Sequence, residues 1–160
     1  IALKSKNTPS VIALSRQKLP YINPGFSEKN KCENGAYVVK INSHDNKVTL
    51  VASGSEVELA LNTQIALKEN NIESKVVSMP CQEIFDKQSD DFKRDILDQD
   101  SLIVTIEAGN VSSWKKYSGG RGISLGINKF GESAPYKKVY EHLNLSVEKI
   151  TTAIQEQLRK

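Results

Sequence analysis

Nowhere in these 160 residues does an apolar run approach the roughly 20 residues that a membrane-crossing helix needs, so no membrane span is expected. Cysteine is nearly absent. Cys32 and Cys81 stand far apart without C-x-x-C spacing, which excludes a disulfide framework and a zinc site and fits a reducing, cytoplasmic setting. Arginine is scarce as well, limited to Arg16, Arg94, Arg121 and Arg159, and the net charge of +3 comes from lysines scattered among Asp and Glu. A nucleic-acid binder gathers its cations on one face with aromatics between them. The two nearest approaches, Lys115–Tyr117 and Tyr136–Lys138, are short and read as solvated faces of helices. No nucleic-acid partner is expected. The opening IALKSKNTPS has neither an initiator Met nor the long apolar core of a signal peptide, so a piece of a longer polypeptide is expected. With 38% hydrophobic and 26% charged residues the composition is that of a folded globular domain, and the length suits one domain, or one plus part of another.

What the chain does have is βαβ grammar. Val48, Leu50, Val51 and Ala52 form a continuous apolar run suited to a strand covered on both faces. Gly54 permits a sharp turn, and Ser55 with Glu58 spells a capping box for a helix carrying Val57, Leu61, Ile65 and Lys68 on one stripe. A second strand, Lys75 to Pro80, leads into a short helix from Cys81. Ser89 opens another helix, with Asp90 and Asp91 favouring its N-terminal dipole. Residues 102–109 and 123–127 are further apolar strands, and the glycine-rich Ser118 to Gly122 reads as a flexible turn ahead of the second. The chain closes on two helices, APYKKVYEHL and SVEKITTAIQEQL; Ser146 caps the second, whose inner face is Val147, Ile150, Ile154 and Leu158. Alternating strands and helices predict a three-layer α/β/α fold.

Two segments precede this unit. Residues 8–17 read as a strand with Val11, Ile12, Ala13 and Leu14 buried and Arg16 at its exit. Residues 18–35, rich in Pro, Gly and polar side chains, read as an interdomain linker. After Gly35, AYVVKI is a strand, with a turn at His44–Asn46 making the simplest hairpin to the next strand.

Arg16 is the leading candidate for chemistry. Sheets of this class present the carboxyl ends of their strands to ligands, and a guanidinium forks to two phosphate oxygens. On position alone an ordinary ion pair is the stronger reading. Gly54-Ser55 at a helix start can hold an anion on free N–H groups, but the expected cap already occupies them. Ser118 to Gly122 lacks the phosphate-loop spacing and is followed by a strand. Glu107 at a strand end suits either catalysis or the anchoring of a loop. His44 and His142 lie apart, and no Ser or Cys has nucleophile context. Cys81, ahead of a helix, is read as a small apolar filler rather than a thiolate.

These segments, taken together and in order, resemble the C-terminal domain of transketolases: TPSVIALSRQKLP, GAYVV, VASGSEVELAL, KVVSMPCQEIFDKQ, IEAGNVSSWKKY and FGESAPYKKVYEHL. The resemblance implies a mixed, mostly parallel sheet of about five strands. It assigns residues 1–17 to the end of a pyrimidine-binding domain, 18–35 to the linker and 36–160 to the C-terminal domain. Family activity would be transfer of a two-carbon ketol group between ketose and aldose phosphates by a homodimer using thiamine diphosphate and Mg²⁺. Arg16, in Leu14-Ser15-Arg16-Gln17, matches the family arginine that binds the substrate phosphate. No Gly-Asp-Gly motif followed by Asn is present, so this piece alone is expected to bind no cofactor and to be inactive. The alternative is a free-standing nucleotide-binding or subunit-interaction module.

Overall fold

The computed structural model describes residues 1–22 and 30–160. Five strands, β1 (Tyr37–Ile41), β2 (Val48–Ala52), β3 (Ser74–Ser78), β4 (Leu102–Glu107) and β5 (Ile123–Gly126), form one sheet in the order β1-β3-β2-β4-β5. β1 runs antiparallel to β3, and the other pairings are parallel. Helices α1 (Glu56–Glu69), α2 (Gln82–Asp86), α3 (Asp90–Leu97), α4 (Lys115–Ser118), α5 (Tyr136–His142) and α6 (Val147–Leu158) join or flank the strands. The architecture is the three-layer α/β/α expected.

Two cores explain the unbroken apolar runs. Val48, Leu50, Ala52, Val76, Val104 and Ile106 face α1 and α6, where Ala60, Leu67, Ile150 and Ile154 are fully enclosed. Val51, Val77 and Ile103 face the other way, against Phe85, Ile96, Leu97, Trp114 and Tyr117. Each central strand alternates between two hydrophobic layers, so its residues are enclosed on both faces. Gly35 fixes the entry to this unit: at φ +81° its Cα lies so close to α2 that an added Cβ would stand 2.3 Å from the Phe85 amide nitrogen.

Several expectations need correction. No hairpin joins β1 to β2; β1 crosses to the far side of β3, because a parallel β2–β3 pair leaves β3 as the edge open to an antiparallel partner. The capping box at Ser55 does not form. Ser55 has helical dihedrals and its hydroxyl bonds the neighbouring Glu56 side chain instead. The buried face of α1 is Val57, Ala60, Gln64 and Leu67 with Glu56 and Thr63, while Ile65 is 53% exposed. Leu158, the last residue of α6, likewise lies 41% exposed. The caps at Ser89 and Ser146 are as read, each hydroxyl accepting from the amide three residues on.

The expected strand at residues 8–17 is the largest departure. This segment is irregular, with Val11, Ile12 and Leu14 exposed at 96%, 71% and 85%. Residues 1–22 make an arm that rejoins the body only near its end, where Ile22 packs on the first core. Part of the stretch read as a linker, residues 23–29, lies outside the described residues.

Candidate functional site

The chain reverses direction across the sheet between β2 and β4: from β2 it proceeds to β3 on one side, and from β4 to β5 on the other. In this class of fold the carboxyl ends at that reversal form the ligand-facing crevice. Its side chains here are acidic. Glu107 at the end of β4 accepts a hydrogen bond from the Ser53 hydroxyl at 3.1 Å, just beyond β2. Glu56, first in α1 and 4% exposed, accepts from Ser55 at 2.8 Å and from the Tyr140 phenol of α5 at 2.5 Å. Burial pushes the Glu107 carboxyl above the ordinary carboxylate range, the nearby Glu56 adds to it, and the Ser53 bond only partly opposes them. Burial, and then the bond to Glu56, push the Tyr140 phenol up as well. A crevice walled by two carboxylates repels a phosphate, which argues against a nucleotide at this reversal.

A second concavity lies beside it. Gln17 and Leu19 of the arm, Ser55, Glu58 and Asn62 of the α1 region, and Tyr136 and Tyr140 of α5 line a cleft of about 320 Å³. The two tyrosine rings meet edge to face with centroids 5.9 Å apart. The cleft thus joins four pieces of the chain: the arm, the first helix, the fifth helix and, through Leu145, Ser146 and Val147, the start of the sixth.

Arg16 is exposed on the arm, one residue before this contact, and among the described residues it makes no hydrogen bond or ion pair. The other sequence candidates are dispersed. His44 lies in an exposed bend, and His142 pairs with Glu132 at 2.9 Å. Cys81 and Cys32 are free and half-buried. Cys81 stands before α2 with its sulfur 3.5 Å from the Glu83 carboxylate, and burial pushes the Cys32 thiol up. Ser118 to Gly122 turns the chain into β5, and Gly122 is pressed against the Ser118 and Ile103 carbonyls. Among the described residues no group of three or more His, Cys, Asp or Glu can hold a metal ion, and none of these side chains fits a diphosphate-bound Mg²⁺. Glu56 and Tyr140 escaped the sequence reading. No signal in the sequence pointed to Glu56, and Tyr140 stood there only as a residue of the helix that follows Pro135.

Comparison with known proteins agrees with the fold. Residues 35–146 match the family described as transketolase-like TK C-terminal domain. The chain is 42% identical to a chloroplastic transketolase of Arabidopsis thaliana, over 96% of its own length and 21% of the relative's. It is 37% identical to a Bacillus subtilis transketolase, over its full length and 24% of that protein. It thus spans about a fifth to a quarter of these relatives. A crystal structure of a Pichia stipitis transketolase mutant in complex with fructose-6-phosphate superposes with a TM-score of 0.89 at 30% identity, over 98% of this chain and 22% of that one. A split-gene transketolase, described as an inactive β4 tetramer, gives a TM-score of 0.69 at 25% identity, over 90% of this chain and 48% of that one.

Proposed function

The chain belongs to the transketolase-like C-terminal domain family, and from that premise we propose that it serves as the C-terminal part of a ketol-transferring enzyme, supplying Arg16 to the phosphate of its sugar substrates. The observation that carries this reading is the state of Arg16: a permanent cation, exposed and unpartnered among the described residues, within the Leu14-Ser15-Arg16-Gln17 segment. The complex of the Pichia stipitis relative with a sugar phosphate supports the substrate class.

In this reading residues 1–17 complete a pyrimidine-binding domain, 18–35 link it, and 36–160 form the terminal domain. The exposed Val11, Ile12 and Leu14 support that division, since an apolar extended segment gains most by joining another sheet. Thiamine diphosphate and Mg²⁺ supply the carbanion chemistry in the complete enzyme. The residues present here do not fit that group, so its ligands lie in the remainder of the polypeptide. The complete enzyme works as a homodimer in the cytoplasm. Separated from it, this chain is inactive, as the split-gene relative is described to be.

The test is steady-state kinetics of the full-length enzyme carrying Arg16→Ala, with phosphorylated and free ketoses compared. The variant loses roughly 2–4 kcal/mol of transition-state stabilisation with fructose-6-phosphate, the scale of a charged hydrogen-bonded pair. With free fructose it stays near the parent. Equal losses on both sugars would refute the phosphate role.

A further inference from the structure

The crevice at the strand reversal repels anions, and the cleft beside it favours the opposite charge. Its charged lining residues are Glu58 of α1 with Lys137 and Glu141 of α5. Among the described residues no side-chain hydrogen bond or ion pair engages any of these three charges, although Lys137 and Glu141 stand one turn apart. Two carboxylates therefore line the cleft against one ammonium. A third, the enclosed Glu56, is bonded to the phenol of Tyr140. The negative excess is local, since the chain as a whole carries +3.

The rest of the lining decides which cation. Leu59, Leu145 and Val147 give apolar surface, and Tyr136 and Tyr140 add two aromatic rings set edge to face. A hard metal ion takes about six oxygens or more, and this lining offers it hydrocarbon in their place. An anion meets a surplus of like charge. A neutral apolar guest strips water from Glu58 and Glu141 and returns no partner to them. The lining suits a cation with an apolar body: carboxylates answer its charge, rings offer their negative faces, and aliphatic side chains take its alkyl part. The Tyr140 ring is strengthened in that role, because a phenol that donates to a carboxylate passes electron density into its ring. At about 320 Å³ the cleft has room for a small molecule. Gln17 and Leu19 complete the lining, but every charged and aromatic group in it belongs to α1 or α5.

We propose that this cleft binds a small organic ammonium ion, held by Glu58 and Glu141 and by the rings of Tyr136 and Tyr140. The site goes beyond the ketol-transfer reading, in which no such ligand takes part. It stands whether or not Arg16 grips a phosphate.

The experiment titrates the full-length enzyme with choline, and in parallel with neohexyl alcohol, its carbon isostere without the charge, following the ligand's methyl signals by NMR. Choline binds with a Kd on the order of 1 mM, the range open to a partly exposed cation site. The neutral alcohol binds at least about tenfold more weakly. Glu58→Gln and Tyr136→Leu each weaken choline about three- to tenfold. Neither side chain is enclosed, so both variants keep the fold, which circular dichroism checks. Should Tyr136→Leu fail to fold, Glu58→Gln decides alone. Glu69→Gln, at the other end of α1 and outside the lining, leaves choline affinity at the parent value. Absence of choline binding, as when a basic side chain from elsewhere in the polypeptide already fills the cleft, overturns the proposal. Equal binding of the neutral alcohol overturns it as well. So does choline binding that Glu58→Gln and Tyr136→Leu leave unchanged, since the cation then sits elsewhere.

Discussion

At the level of single residues, the most consequential feature is that carboxylates sit where helices and strands converge. Glu107 is costly to ionise: half-buried, near Glu56, with one hydroxyl donor. Because its folded value is raised, the folded chain binds its proton more tightly than the unfolded chain does. Its contribution to stability is therefore largest below the ordinary carboxylate range and falls as pH rises through the raised value. Glu107→Gln keeps an acceptor for Ser53 and removes the charge. We expect the variant to be more stable than the parent in urea at neutral pH, on the order of 1 kcal/mol. The difference vanishes when both are measured in acid. A variant that is less stable at neutral pH would mean that the carboxylate is needed as an anion. Lys75 illustrates the opposite arrangement. Burial lowers its ammonium, the charges of Asp98, at 3.9 Å, and of Asp95 compensate in part, and the ammonium donates to the Asp95 carbonyl at 3.1 Å.

Among the elements, the contrast is between those closed by their own residues and those that wait for a neighbour. α3 and α6 carry serine caps that accept from their third residues, so their start points are encoded locally. β2, β3 and β4 are legible because their middles are apolar and most of their polar residues are paired, as Thr49 is with Ser101 at 2.7 Å. The arm is different. Its apolar pattern reads as a strand, yet a strand exists only when another supplies its hydrogen bonds, and the described residues offer none. From residue 3 to residue 16 its side chains are exposed. A chain beginning at Gln17 should unfold in urea within about 0.5 kcal/mol of the parent, as expected for exposed residues. A larger loss would mean that the arm belongs to this core.

Considered whole, the molecule is a scaffold with two cores and, among the described residues, no group of three or more His, Cys, Asp or Glu that could hold a metal ion. Isothermal titration of the isolated chain with thiamine diphosphate and Mg²⁺ should therefore give no binding heat. Micromolar binding would overturn the assignment of the cofactor to the rest of the polypeptide. The carboxylates at the sheet's reversal point make the same case against a phosphate-bearing ligand there. An exposed positive charge stands instead on the arm, at Arg16.

The sequence alone determined the layers, the caps of α3 and α6 and the order of the elements from Val48 onward, because each follows from contacts between residues close along the chain or from burial on both faces. It also singled out Arg16, through the wording around it. Tertiary structure decided what lies beside what. The partner of β1 was settled by which edge of a parallel pair remained open. The role of Ser55 was settled by Glu56, whose carboxylate draws both that hydroxyl and a phenol from 84 residues away. Such choices depend on distances between segments that nothing in their local spelling encodes.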